Sequence, residues 1–217
     1  MPKESNKYHK IMSLFKRDMG GDKKFIIGEW STPEIEYLKD KDWIWTEKVD
    51  GMNIRVMWDG KEVVFGGRSD EAQLPTPLLI RLQELFMRMG PRQIFKTIFG
   101  EEEMDVVLYG EGYGSRIQQG GGNYIPNGVD FVLFDVAING IWLERENVED
   151  IASKFGINVV PIIGHGTLEQ AIELTKKGFK SQWGDFIAEG IVARPKVELF
   201  TRKGERVITK VKYRDFN

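Results

Sequence analysis

At 217 residues the chain has room for one large domain or two small ones, and enough length to bury a sizeable core. The absence of any long apolar run and of cysteine, the polar start and the two histidines argue against a membrane span, a secretory signal, a disulfide scaffold, a thiolate metal site and a histidine-rich zinc site. A reducing cytoplasm is the expected compartment. With 31 basic and 33 acidic side chains the net charge is −2, so global charge points to no class of partner.

Tyr8, Ile11, Met12 and Phe15 recur at helical spacing, which predicts a helix over 5–18 ended by Gly20-Gly21. Ser31-Thr32-Pro33-Glu34 is a helix start, with a capping hydroxyl and a proline in the first turn; that helix stops near Asp40. Residues 43–49, 52–58 and 62–67 predict consecutive strands joined by Asp50-Gly51 and Asp59-Gly60, with Lys48 beside the first corner. Leu78, Leu79, Leu82, Leu85, Phe86 and Met89 follow Pro77 at helical spacing, and Gly90-Pro91 closes that helix. A short helix near 92–98 and a strand over 104–109 come next. Seven glycines between 110 and 128 form a dense stretch that lacks the Gly-Lys-Ser/Thr of a phosphate-binding P-loop. Residues 130–137 read as an apolar strand and 146–154 as a helix capped by Gly156. A strand over 159–163 and a helix opened by Thr167-x-x-Gln170 and closed by Gly178 follow. The last two strands are 186–194 and 206–213. There is no repeat or low-complexity tract, and the pattern reads as a single α+β domain over 1–217, rich in antiparallel strands.

Several charged residues fall at strand positions rather than on loops. They are Lys48, Arg68 in Gly67-Arg68-Ser69, Glu111 in Gly110-Glu111-Gly112, Asp135 after Phe134, and Glu189 before Gly190. Lys210 and Lys212 alternate, so they point to one face. Two lysines on one face repel, and a phosphate-rich ligand between them and Lys48 would relieve the repulsion. From Arg194 to Arg214 eight basic residues stand against two acids, a local +6 that suits phosphates or a solvated hairpin edge. Each residue also has a plainer reading: Phe134 as core, Glu111 as a turn flank, Glu189 as a partner of Arg194, and Arg55 as a surface strand residue rather than a pocket residue beside Asn53. Asp50 shapes its turn, and His165 reads as a loop residue.

The ordered set Lys48-Val-Asp-Gly, Glu111, Phe134-Asp135, Glu189-Gly-Ile-Val and Lys210-Val-Lys212 resembles the covalent nucleotidyltransferases, which include polynucleotide ligases and mRNA capping enzymes. Within them the chain looks most like the phage-type, ATP-dependent RNA ligases. The details are Lys-x-Asp-Gly-x-Asn, Gly-Glu-Gly-Tyr-Gly with Ile117-Gln118 after it, and the Phe-x-x-Phe-Asp run at Phe131, over about 27–213. The resemblance implies an ATP-grasp-like fold of two twisted, mainly antiparallel sheets with flanking helices and the nucleotide between them. It implies that Lys48 attacks the α-phosphate of ATP, releases pyrophosphate and becomes lysyl-AMP. Asn53 contacts the ribose or phosphate region, Arg68 the ribose or the RNA end, and Glu111 the ribose hydroxyl. Phe134 stacks on adenine, Glu189 works near the lysine and a metal, and Lys210 and Lys212 contact the α-phosphate. Glu47 joins the nucleotide-binding set, with Asp50, Gly51 and Arg55 in support. AMP then passes to a 5′-phosphate end of RNA, which a 3′-hydroxyl seals. Mg2+, with Mn2+ as a substitute, suits carboxylate and phosphate oxygens. A free lysine is almost wholly protonated at pH 7, which costs a nucleophile about 4–5 kcal/mol, and neighbouring cations are expected to reduce that cost.

The chain departs from the family at its end: five residues follow Lys212, with no oligonucleotide-binding barrel, helical module or terminal basic motif. The expectation is a catalytic domain of a longer protein, or a minimal ligase that relies on a partner chain to dock RNA. The competing readings are a DNA ligase core, a GTP-using capping enzyme, and a nucleotide- or RNA-binding module without turnover.

Overall fold

The computed structural model describes residues 6–88, 90–100 and 104–216. In chain order the elements are β1 (Met12–Ser13), β2 (Phe15–Arg17), β3 (Phe25–Trp30), α1 (Pro33–Leu38), β4 (Trp43–Glu47), β5 (Met52–Trp58) and β6 (Val63–Gly66). Then come α2 (Thr76–Met87), α3 (Pro91–Phe99), β7 (Val106–Gly114), α4 (Gly121–Tyr124), β8 (Val129–Ile138) and β9 (Ile141–Trp142). The remainder is α5 (Arg145–Phe155), β10 (Asn158–Val159), β11 (Ile162–Gly166), α6 (Leu168–Lys177), β12 (Gly190–Pro195) and β13 (Thr209–Lys212). The class is α+β, and the described residues divide into two compact units.

The first unit takes the chain up to Tyr8 together with Asp50–Val160. Its six-stranded sheet runs β10-β8-β7-β5-β6, with β9 also on β8. Alternation decides what each face does. Ile54, Val56 and Trp58 of β5 and Val106 and Leu108 of β7 turn to a core with Phe131, Leu133 and Val136 of β8. The helices close that core: Leu78, Leu82 and Phe86 recur every four residues along α2, and Phe95, Val148, Ile151 and Phe155 complete it. Burying one such side chain contributes about 1.5–3 kcal/mol.

The glycine-dense stretch is partly strand. β7 continues five residues past Tyr109, to Gly114, because its glycines admit close neighbours. A Cβ at Gly110 would lie 2.2 Å from the Phe131 ring, and one at Gly112 would lie 2.4 Å from Leu78.

The second unit takes His9–Val49 and Pro161–Asn217. Its five-stranded sheet runs β1-β13-β12-β4-β11, and β2 and β3 form a separate two-stranded ribbon. Trp43, Trp45, Ile191, Ala193 and Val211 face a core with Leu14, Phe15 and Phe25, closed by Ile35 of α1 and by Leu168 and Ala171 of α6. Thr167 caps α6 with Gln170 in a reciprocal capping box.

Four expectations are corrected. The segment predicted as a helix over 5–18 forms β1 and β2 over its described part: Met12–Ser13 pair in parallel with Thr209–Lys210, and Leu14 N donates to Lys210 O at 3.0 Å. An open strand edge satisfied that backbone better than a local turn of helix. No element was expected over Phe25–Trp30, where Gly28 at φ +89° breaks the alternation. The strands at 43–49 and 52–58 are not a hairpin: β4 pairs with β12 and β11, and β5 with β6 and β7. The Asp50-Gly51 corner therefore passes the chain from one sheet to the other. The strand expected over 186–194 begins at Gly190, and that over 206–213 is confined to Thr209–Lys212. Met89, expected on the face of α2, lies outside the described residues.

Candidate active site

In the second unit three charged side chains meet. Lys48 follows β4, and its backbone N–H donates to Gly190 O at 2.9 Å. Glu189 precedes β12, and its carbonyl accepts from Tyr213 N at 2.9 Å. Lys48 Nζ stands 2.6 Å from Glu189 Oε2, and Lys212 Nζ stands 2.5 Å from Glu189 Oε1. These side chains are only 12 to 19% exposed. The carboxylate thus bridges two lysines that are otherwise mutually repulsive. Glycine at 190 is obligatory for this placement, since a Cβ there would lie 2.1 Å from Val211 O. The alternative partner of Glu189, Arg194, is not its partner in either of these bonds. Lys210 is half-buried and alternates with buried Thr209 and Val211, so it shares the strand face of Lys212.

Burial drives the Glu189 carboxyl upward, but Lys48 and Lys212 outweigh it and hold the group below the ordinary glutamate value of 4.5. A depressed acid contributes stability above its unfolded value and loses it as pH falls through its folded value. Glu189→Gln is therefore expected to lower the melting temperature near neutrality by roughly 2–10 °C, as for a loss of about 1–3 kcal/mol. The gap to the parent should close as pH drops below 4.5. Thermal melts across acid pH check this, and a gap unchanged in acid would refute the charge-based account.

Glu47 behaves oppositely. It is 1% exposed, and burial pushes its carboxyl above the ordinary value despite bonds from Gln182 N at 2.8 Å and Ser181 Oγ at 2.6 Å. Its carboxylate is spent inside the unit, and acidification relieves it rather than costing stability. Ser181 and Gln182 carry no local sequence signal of this role, since they lie over a hundred residues from Glu47.

The first unit carries the other expected residues. Asn53 and Glu111 are direct cross-strand partners on β5 and β7. Asn53 Oδ1 is buried without a hydrogen-bond donor among the described residues. Phe134 is the extra residue of a bulge: Tyr109 pairs with Asp135 and Gly110 with Leu133, leaving it opposite nothing. Its half-buried ring meets Tyr8 edge-on at 5.1 Å, and Tyr8 Oη donates to Asp135 Oδ2 at 2.5 Å. Tyr8 has the sequence spacing of a helix-face residue, and nothing local links it to a partner 127 positions away. At the Lys48 corner, Asp50 N donates to Tyr124 Oη at 3.0 Å and Gln118 Nε2 donates to Gly51 O at 3.1 Å. Gly51 packs so closely on β7 that a Cβ would lie 2.3 Å from Gly112 O and 2.8 Å from Glu111 Cγ. Arg68 is exposed, and Arg55 is buried beneath its turn.

Among the described residues no three His, Cys, Asp or Glu side chains cluster as a metal cage. Both Glu189 oxygens are ion-paired to lysines, so a Mg2+ ion here would be held chiefly by phosphate oxygens and water, its usual habit.

A fold of two mainly antiparallel sheets with a lysine–glutamate–lysine cluster defines the class, and comparison with known proteins defines the family. The RNA ligase family model matches residues 41–212, from just before Lys48 to Lys212, and the chain belongs to that family. No curated protein sequence matches. Among solved structures, Naegleria gruberi RNA ligase with pyrophosphate is 20% identical at a TM-score of 0.62, covering 100% of this chain and 62% of that one. An N. gruberi RNA ligase mutant with ATP and manganese is 19% identical at 0.64, covering 99% and 61%. An apo mutant of N. gruberi RNA ligase R4a is 21% identical at 0.62, covering 85% and 53%. The chain thus spans between about half and six tenths of the solved ligases it matches. No helix among the described residues is long and apolar enough to cross a membrane.

Proposed function

We propose that this protein is an ATP-dependent RNA ligase acting through lysyl-AMP. The observation that carries the reading is the Lys48–Glu189–Lys212 cluster, a half-buried amine placed beside a second cation through one carboxylate. In the free protein Glu189 occupies the amine. When ATP arrives, its α-phosphate takes Glu189's place against Lys212, and the Lys48 amine, having given its proton to solvent, is free to attack. The N–P bond forms as the bond to pyrophosphate breaks, and pyrophosphate leaves with the electron pair. Lys210 and Lys212 stabilise the charge growing on the phosphoryl oxygens. Asn53 and Glu111 take the ribose side of the nucleotide, Phe134 the adenine face, and Arg68 the ribose or the RNA end. A 5′-phosphate of RNA then displaces Lys48 from AMP, and a 3′-hydroxyl displaces AMP to seal the strand. A divalent cation, Mg2+ or Mn2+, would be held by Glu189 and the phosphates and supply further charge neutralisation.

RNA docking calls for a further domain or partner chain, in keeping with the share of the solved ligases that this chain spans. A cysteine-free chain suits a reducing cytoplasm. Intact-mass measurement after incubation with ATP and Mg2+ tests the reading: the expected result is a gain of one AMP. Labelling by GTP instead would favour a capping enzyme, transfer to DNA ends alone a DNA ligase core, and binding without an adduct a module that does not turn over.

A further inference from the structure

Arg55 is an arginine in the wrong kind of place. It stands in β5, a strand whose following residues are all buried, and is itself 1% exposed. A hydrophobic side chain would fill such a position at lower cost than a buried guanidinium. Its Nη1 is buried with no acceptor among the described residues, an added penalty. Something other than packing must retain it.

Its two bonds bracket Arg68 and its neighbour Ser69. Nε donates to Gly67 O at 2.7 Å and Nη2 donates to Asp70 Oδ1 at 2.7 Å. Arg68 lies between these anchors, in the bend that leads into a turn closed by Ala72 N donating to Ser69 O at 3.2 Å. The neighbouring glycines make the bracket possible. Gly66 pairs with Arg55 across the sheet, and a Cβ there would stand 3.1 Å from Nη2. A Cβ at Gly67 would press to 2.7 Å on Ala72 Cβ. Arg68 itself is exposed and makes no hydrogen bond or ion pair among the described residues. The molecule thus holds the chain on both sides of a cation whose own side chain is unengaged, by a backbone oxygen before it and a side-chain carboxylate two residues after it.

We infer that Arg55 is a positioning residue: through Gly67 and Asp70 it fixes the turn that presents Arg68 to the ribose-phosphate of the substrate. This rests on the ligase reading and names a residue through which one of its groups acts. A fixed turn leaves less conformational freedom to be lost when Arg68 engages a phosphate. Lysine cannot substitute, because one ammonium cannot span two acceptors that the planar fork reaches together.

The test is a mutant cycle read in single-turnover experiments, one for protein adenylylation with ATP and Mg2+ and one for sealing of pre-adenylylated RNA. Arg68→Ala identifies the step that Arg68 serves. Asp70→Asn and Arg55→Lys are expected to slow that same step by roughly 10- to 100-fold, the scale of a small misplacement. In the Arg68→Ala background neither should slow it further by more than about twofold, because the group they position is gone. Loss of equal size with and without Arg68 would mean that Arg55 acts on the fold or on another group, and overturns the inference. An unchanged rate in Asp70→Asn or in Arg68→Ala overturns it too. Asp70 is 42% exposed, so its variant remains informative even if Arg55→Lys fails to fold. A parent that forms no AMP adduct and seals no adenylylated RNA sinks the ligase reading itself; a competent parent with an additive cycle sinks only this proposal.

Discussion

Lys48→Ala is expected to abolish the AMP adduct: intact mass should show a gain of one AMP in the parent and none in the variant. The loss should be complete if Lys48 is the nucleophile proposed, since attack by water in its place would release free AMP and leave no adduct. The physical reason lies in the wiring around the amine. Its backbone N–H is tied to Gly190 O, and its Nζ is held 2.6 Å from Glu189. These contacts set the direction of the side chain before any substrate arrives, which is the larger part of what a nucleophile gains from a protein. A thermal melt of the variant separates this from misfolding. Removing the lysine leaves Glu189 paired with Lys212, so the carboxylate is not orphaned and the fold should persist. An adduct in Lys48→Ala at the level of the parent would place the nucleophile elsewhere.

Lys212→Ala is the second large effect. Adenylylation in single turnover should fall about 10²–10³-fold, the usual consequence of losing one preorganised donor at a developing phosphoryl charge. Two losses combine. The α-phosphate lacks its cation, and Glu189, 2.5 Å from Lys212 in the parent, is left with Lys48 alone. A carboxylate with one cation binds that cation more firmly, so Lys48 is released less readily for attack. Lys212→Arg should recover part of the rate, because charge is retained even though the geometry of the fork differs from that of an ammonium. Labelling of Lys212→Ala at the parent rate would remove Lys212 from the phosphate site.

How much of this was legible follows from what each signal depends on. The α2 stripe of Leu78, Leu82 and Phe86 and the alternation of Ile54, Val56 and Trp58 needed only the period of one element, and both appear where expected. The shared face of Lys210 and Lys212 was likewise a matter of period two. Strand partners were another matter. Asp50-Gly51 looked like a hairpin corner because Asp-Gly usually is one, but β4 found its partners in β11 and β12. The run from Tyr8 to Phe15 has helical spacing, yet the edge of β13 offered its backbone a parallel partner.

The candidate site divides the same way. The mixed α+β pattern was legible because period and turn residues are local properties, whereas lysyl-nucleotide chemistry was implied only by the resemblance of the ordered motifs to the covalent nucleotidyltransferases. The resemblance already put Glu189 near Lys48, but that its carboxylate bridges Lys48 to Lys212, which hydroxyl and amide engage Glu47, and which turn the Arg55 guanidinium grips were decided only by folding. Those choices join residues up to 141 positions apart. Their free energy comes from burial and charge pairing that exist only once the sheets have formed, and no local pattern records them.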